Sequence, residues 1–431
     1  MKKRKIVLSF IISFILVNNS FANDMKSLDT VTVTAQKMEE NIQDVPVSLT
    51  VFDEFAIEDR NIKSVKDIAQ YTPNFTIFNP GDWGTVAPSI RGLYSDVAMT
   101  SSTVSMYIDG VPTQSTMGYD AVLEDIERIE VLKGPQGTLY GKNAEAGAIN
   151  IITKKPNNET KGKIGLEFGS DNKKAYTFNA SGAIIKDKFY VGVSGKLYEK
   201  DGYMTNKYLN TDHNNRKSKY GKVNLRYTPT DNLDISFISS KHKRDDGALS
   251  VNKATAQNLK EVNNDVSDFA KLESTAHSLK IDYNFGQYNL SSVTAYKKDH
   301  DLRFADYDYS TVKSYHSLMD VTYENLSQEV KLNSQTDTLT WLAGIYADKS
   351  ESKGGTTVDS IYPSMRARGN QNTTEDSSLG LFSHANYKIN DKLSILGGLR
   401  YDIDEKSLTD KKTNTKLDMS YSEISPKLAF N

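Results

Sequence analysis

The chain has 431 residues, 53 basic against 55 acidic, a formal net charge of −2 and no cysteine. That balance leaves no basic footprint for nucleic acid, and the missing thiols exclude both a disulfide framework and a thiolate-held metal. Beyond the first 22 residues no apolar run approaches the length of a membrane helix, about 20 residues.

Residues 1–22 read as an export signal. Lys2, Lys3, Arg4 and Lys5 form a basic start, residues 6–17 are an apolar run too short to span a bilayer, and Ser20-Phe21-Ala22 is a small-x-small cleavage site. A chain that is exported, polar and still membrane-spanning has to be a β-barrel, because alternation hides its apolar half from any average. Asp29-Thr30-Val31-Thr32-Val33-Thr34-Ala35 is a β-branched run flanked by polar chain, which favours an extended segment with no core of its own. Such a strand suits the sheet edge of another protein, and equally the first strand of a domain.

Residues 38–156 read as one mixed domain. Ser64, with Asp67 three residues on, opens a short helix whose Val65, Ile68 and Ala69 share a face, and Pro73 stops it. Strands are predicted at 45–52, 75–78, 105–109, 129–132 and 148–152. The last two flank a loop crowded with small residues: Gly134, Gly137, Gly141 and Gly147, interleaved with Ala144, Ala146 and Ala148, and turned by Pro135. Such a segment is built for close packing. A phosphate cradle is the competing reading, and it fails on spacing. A P-loop needs four residues between its glycine and Gly-Lys-Ser/Thr, whereas three separate Gly137 from Gly141-Lys142 and Asn143 follows. Gly81-Asp82-Trp83-Gly84 and residues 94–102 read as loops.

The run Ile129-Glu130-Val131-Leu132-Lys133-Gly134-Pro135-Gln136-Gly137-Thr138-Leu139-Tyr140-Gly141, continuing to Ala148-Ile149-Asn150-Ile151-Ile152-Thr153, resembles the end of the plug domain of TonB-dependent outer-membrane receptors. Ile90-Arg91-Gly92 and Tyr107-Ile108-Asp109-Gly110-Val111-Pro112 resemble two further plug signatures, in the right order. The resemblance implies an α+β plug domain, residues 38–156, inside a transmembrane antiparallel β-barrel that begins at residue 161. It also implies that residues 23–37 are a periplasmic segment in which Asp29 to Ala35 are the TonB box, the coupling handle. In the family the apical loops of the plug meet the ligand, so Trp83 and Tyr94 are candidate ligand contacts, with ordinary loop packing as the alternative.

From residue 161 the texture changes to segments of alternating character. Ile164, Leu166 and Phe168 oppose Lys163 and Glu167, and Phe189, Val191, Val193 and Leu197 oppose Ser194 and Lys196. Leu326, Gln328, Val330 and Leu332 oppose Ser327, Glu329 and Lys331, and Leu393, Ile395, Gly397, Leu399 and Tyr401 keep the same period. A soluble sandwich alternates too; the connections separate the two. Strands predicted at 162–170, 174–185, 188–199, 219–229, 233–243, 277–286, 288–300, 320–334, 338–350, 378–389, 392–402 and 422–431 are joined alternately by tight links and long polar loops. The long loops fall at 200–218, 244–276, 301–319, 351–377 and 403–421, and only the link at 171–173 is short where a long one is expected. Tight periplasmic turns and longer external loops are the pattern of an outer-membrane barrel. Tyr288 and Tyr296 share a strand face, roughly 21 Å apart in height, close to the span between two aromatic girdles.

Size adds a constraint. Twelve strands at ordinary spacing and tilt close a cylinder about 24 Å across, whereas a compact plug of about 120 residues needs roughly 35 Å. A wall of about 22 strands, the family's number, is about 44 Å across. The expectation is therefore an incomplete barrel with about 12 of those strands, the front part of a longer receptor.

No catalytic constellation is visible, so the chain is expected not to be an enzyme. His213, His242, His277, His300, His316 and His384 show neither H-E-x-x-H nor paired ligand spacing, and read as surface side chains. Glu124/Asp125 and Glu39/Glu40 read as solvated charge. The loops at 244–276 and 351–377 are long enough for lids and polar enough to grip a chelate. The resemblance, nearest to the ferric-siderophore receptors including the yersiniabactin/pesticin type, implies proton-motive import through the TonB protein. The partners it implies are TonB, a ferric siderophore and outer-membrane lipid, around a monomer in the Gram-negative outer membrane; iron travels inside the cargo and no cofactor is resident. Haem, cobalamin or a glycan are alternative cargoes. An uncoupled porin or adhesin barrel and an exported β-rich enzyme are alternatives of other classes.

Overall fold

The computed structural model describes residues 32–34, 36–79, 86–94, 102–113, 116–247, 258–366, 369–390 and 392–430. At its start, β1 (Thr32–Val33) pairs antiparallel with β2 (Glu40–Asn41). The first domain then runs through β3 (Ser48–Asp53), α1 (Glu54–Asp59), α2 (Val65–Gln70), β4 (Phe75–Phe78), β5 (Ala87–Ile90), β6 (Val104–Ile108), β7 (Val111–Pro112), β8 (Ile126–Lys133), α3 (Gly137–Tyr140) and β9 (Gly147–Thr153). A five-stranded sheet of order β3-β8-β9-β6-β7 forms its spine, with β6 parallel to β9. Phe52, Ile68, Met106, Ile129, Val131, Ile149 and Ile151 are buried between this sheet and the helices.

The predicted capping box closes as expected. Asp67 accepts the Ser64 N–H at 2.9 Å, and the Ser64 hydroxyl accepts the Asp67 N–H at 3.3 Å, which supplies partners for orphan donors of α2. Helix α1 was not predicted. It is a single capped turn and a half, with Asp53 accepting the Ala56 N–H at 2.7 Å and Ile57 its buried residue, too short for an amphipathic period.

The second part is an antiparallel meander of strands β10 (Lys161–Gly169), β11 (Lys173–Ile185), β12 (Phe189–Lys200), β15 (Arg216–Thr230), β16 (Leu233–Asp246), β18 (Phe269–Phe285), β19 (Tyr288–Asp306), β20 (Tyr315–Gln335), β21 (Leu339–Ser360), β22 (Asn370–Asn390), β23 (Leu393–Asp410) and β24 (Thr415–Phe430). They pair in that order as one twelve-stranded sheet, and among the described residues its edges β10 and β24 do not pair with each other. Between them, β13 (Thr205–Asn206), β14 (Thr211–Asp212) and β17 (Glu261–Val262) make a small separate sheet at the external end, and α4 (Pro363–Arg366) caps the β21–β22 connection. The wall curves round the first domain. Its outward face carries the exposed apolar residues Leu290, Leu326, Ile345, Leu381 and Leu399, and its inward face carries Ser291, Glu329, Lys331, Asp348 and Arg400. Tyr288 and Tyr296 stand on the outward face, as their spacing predicts.

All twelve predicted strands are present, and each turns where predicted at the tight end. The external loops are shorter than predicted, because the strands run on. β18 begins at Phe269, β20 at Tyr315 and β22 at Asn370, while β21 continues to Ser360 and β23 to Asp410. The supposed lid at 351–377 is therefore largely paired backbone, and that at 244–276 is strand at both ends, through Asp246 and from Phe269. β21 has 22 residues, which at about 3.4 Å each and a tilt near 40° rise about 57 Å, over twice the apolar band of about 25 Å. Above that band the outward face no longer meets lipid, so the side-chain alternation fades while the backbone ladder continues.

Candidate functional site

The seam between the first domain and the wall gathers the charged and motif residues, beginning with the N-terminal segment. The Thr34 N–H donates to Glu130 Oε1 at 2.8 Å, and its hydroxyl reaches the same oxygen at 3.2 Å. Glu130 lies mid-β8, fully buried, and also accepts from Arg128 Nε at 2.8 Å and Asn150 Nδ2 at 3.3 Å. A carboxylate survives in a dry sheet only through such donors, so the segment is fastened at a site where letting go is costly. Val33 is fully buried in a cluster with Leu132 and Leu139. The segment thus has an apolar seat and an in-chain partner in β2, contrary to the expectation of a coreless strand. The seat is built by β8 and α3, about 100 residues downstream, where β-propensity says nothing of it. Of the predicted TonB box, Thr32, Val33 and Thr34 occupy this seat, whereas Asp29, Thr30, Val31 and Ala35 lie outside the described residues.

Three levels of contact then tie plug to wall. Lowest, Lys37 pairs with Glu329 of β20 and lies over the rings of Tyr140 and Phe382, at 5.2 and 5.1 Å. At mid-height Lys142 reaches Asp348 of β21 at 3.1 Å and the Ser378 hydroxyl of β22 at 2.9 Å. Highest, Asp120 pairs with Arg216 of β15 and, at 2.9 Å, with Arg244 of β16, whose Nε stands 3.1 Å from Asp246. Arg244 is among the largest fully buried side chains. Burial raises the Asp120 carboxyl, but the two guanidinium groups outweigh it and hold it below the usual carboxylate range.

Glu124 and Asp125 belong to the same upper row, facing Lys196 at 2.8 Å and Lys222 at 3.7 Å, so they are interface ion pairs and not solvated charge. Glu40 is buried as well. The histidines are also corrected: His213, His242, His316 and His384 are buried, the last on the inward face of β22, because the loop that carries the first and the strands that carry the others are packed against neighbouring segments. Pair partners in this seam lie as far as 292 residues apart, which no local pattern reveals. The one available signal was alternation, which already put Glu329 and Lys331 on the face opposite the apolar one.

The plug motifs serve as joints. Tyr107 and Pro112 pair across the β6–β7 turn, in which Asp109 and Gly110 have φ of 51° and 80°. Asp109 accepts the Thr153 N–H and hydroxyl at 2.9 Å each, and a Cβ on Gly110 would stand 2.9 Å from Val293 of the wall. Ile90 is fully buried at the end of β5, and Gly92 turns the chain beyond it. Gly134, at φ 102°, leaves the space that the Arg91 guanidinium fills, and Gly141, at φ 73°, does the same for Arg400 of β23. The Tyr107 hydroxyl donates to the Tyr140 carbonyl at 3.2 Å with the two rings 5.5 Å apart, while Pro135 and Gly137 carry the chain from β8 into α3. Tyr94 is exposed beyond the β4–β5 pair, and Trp83 lies outside the described residues. Between the plug base and the wall from β15 to β21 lies a polar cavity of about 650 Å³, lined among others by Lys37, Arg128, Lys280, Asp282, Glu329 and Lys331.

The TonB-dependent receptor plug domain family matches residues 41–148, and the TonB-dependent receptor-like β-barrel family matches residues 201–431, more than half the chain. The chain belongs to the TonB-dependent receptors. Members of this family are receptors and transporters, not enzymes. The pesticin receptor of Yersinia pestis is 27% identical over 388 residues, covering 88% of this chain and 56% of the relative. A vitamin B12 transporter of Vibrio vulnificus is 32% identical over 192 residues, 42% of this chain and 30% of its own length. Among solved structures, the ferric yersiniabactin uptake receptor of Yersinia pestis superposes with a TM-score of 0.77 at 23% identity, over 89% of this chain and 61% of that one. The ferripyoverdine receptor of Pseudomonas aeruginosa gives 0.74 at 17% identity, over 93% and 57%. The chain thus spans little more than half the length of the pesticin receptors it matches.

Proposed function

We propose that this TonB-dependent receptor works in a Gram-negative outer membrane as an importer of an iron(III)–siderophore complex, energised through TonB. The observation that carries the reading is the fastening of the N-terminal segment to Glu130. A pull on residues 29–35 is resisted by the β1–β2 pairing and by the hydrogen bonds of Thr34, through which it transmits to β8, the strand flanked by β3 and β9 in the plug sheet. In that scheme the wall stays fixed in lipid through its outward Leu326, Ile345, Leu381 and Leu399, the chain acts as a monomer, and residues 1–22 direct export. The plug fills the lumen and blocks diffusion of a bulky chelate, so work is required to shift it. The polar cavity beside the plug base is the space into which such a shift opens. Cargo is received at the external rim, near Tyr94. Iron is part of that cargo, and no resident cofactor is invoked. The ferric-siderophore assignment leans on the likeness to the pesticin and yersiniabactin receptors; the vitamin B12 transporter keeps cobalamin as the second reading.

The test is uptake in iron-starved cells lacking other receptors of the family, with ferric yersiniabactin, haem and cobalamin offered in turn. Expected is uptake of the ferric siderophore that disappears on deletion of residues 29–35 while surface binding persists. Uptake unchanged by the deletion would identify an uncoupled porin, and recovery of the protein in the soluble periplasm would end the membrane reading altogether.

A further inference from the structure

We infer that the external end of the wall holds a binding site for a divalent first-row transition cation, made by Asp265, Asp306 and His316. The three residues come from separate places, the connection before β18, the end of β19 and the start of β20, and each brings a ligand-capable atom within 4.8 Å of the others. Asp306 and His316 are buried and Asp265 opens toward solvent, so the site has a floor and an entrance.

The decisive feature is an orphan oxygen. Asp306 is fully buried and its Oδ1 accepts the N–H groups of Asp308 and Tyr309, at 2.9 and 3.0 Å, yet its Oδ2 has no partner. A buried carboxylate oxygen left bare is costly, and a bound cation removes that cost while also drawing in a second carboxylate. The surroundings hold the ligands in place. Asp265 takes its orientation from its own N–H, which donates to the Ser310 carbonyl at 3.0 Å, while its Oδ1 and His316 Nε2, 2.8 Å apart, share a hydrogen bond that an entering ion would replace. The Asp306 N–H donates to Asp268 at 2.9 Å, and the His316 ring packs edge-on against Phe304 at 5.6 Å. Donor chemistry selects the ion. Calcium and magnesium take all-oxygen shells, whereas two carboxylates with one imidazole suit zinc, manganese or iron(II). Such an ion would clamp the β16–β18 connection to the β19–β20 connection and so fix the rim at which cargo is received. The site goes beyond the import reading and stands or falls independently of it.

The experiment uses the full chain folded in detergent and stripped with chelator, titrated calorimetrically with zinc chloride, then with manganese and calcium chlorides. One zinc per chain is expected, with Asp306→Asn and His316→Asn each weakening binding by at least about tenfold. Asn at 306 keeps the oxygen that accepts the two turn amides, so the fold should persist, with far-UV circular dichroism as the control. On the unaltered chain, zinc should also slow amide exchange in 258–268 and 307–316, a readout that needs no variant. Absence of zinc binding, zinc binding indifferent to both substitutions, or calcium bound in preference to zinc and manganese would each overturn the site.

Discussion

Position 130 concentrates the physics of the N-terminal segment. Glu130 is fully buried in β8, and its donors come from Thr34, Arg128 and Asn150. A hydrogen bond to a charged partner is worth about 1.5–3 kcal/mol, an equilibrium factor of about 10–150. Glu130→Gln keeps the shape and removes the charge, so amide exchange at Thr34 should accelerate by about that factor while core amides of β8 and β9 hold. Exchange at Thr34 unchanged in the variant would mean that the apolar seat of Val33, and not the carboxylate, holds the segment. At this scale the sequence spoke where backbone geometry leaves a mark. Gly134 and Gly141 were legible because positive φ favours glycine, whereas Asp109-Gly110 was marked only by its resemblance to a plug signature. Glu130 stood inside the same motif as Gly134, yet nothing local marks it as the anchor of Thr34, 96 residues earlier.

Elements were legible where one face is dry and the other wet. The wall strands announced themselves through their period of two, and α2 through its capping box and Pro73. Where that contrast weakens, so does the signal: the outer halves of β20 to β23 rise above the apolar band, mix buried and exposed positions without a clean period, and read as loop. Helices α1 and α3 are too short for any period, and Gln136, just ahead of α3, makes no side-chain cap. Packing between elements gives the sharper test. A Cβ on Gly147, at the start of β9, would lie 2.3 Å from the Leu132 carbonyl oxygen of β8 and 2.7 Å from Ile90 Cδ1 of β5. Neither neighbour can yield, since one is backbone and the other is fully buried. Gly147→Ala should therefore destabilise the plug by about 1–3 kcal/mol, the usual cost of overpacking, seen as a lower urea midpoint for loss of plug protection. A midpoint equal to that of the parent chain would show that β8 and β9 can part at no cost.

Ion pairs and an apolar cluster together hold the plug against the wall, and the upper row of pairs includes a fully buried arginine. Asp120 faces two guanidinium groups, and Arg244 has no exposure to fall back on. Breaking a buried pair from one side costs about 3–5 kcal/mol, and the remaining Asp246 places Asp120→Asn at the lower end, about 3 kcal/mol. The effect should show as faster amide exchange in residues 116–125 at neutral pH. Its pH dependence follows from the sign of the shift. The folded carboxyl is held below its unfolded value of about 3.9, so the link is fully present above that pH and is lost as pH falls through the depressed folded value. Parent and variant should accordingly differ at pH 7 and converge in acid. Convergence at neutral pH would mean that the plug is held by fit alone, and a gap that persists undiminished in strong acid would place the loss in packing around residue 120 and not in its charge.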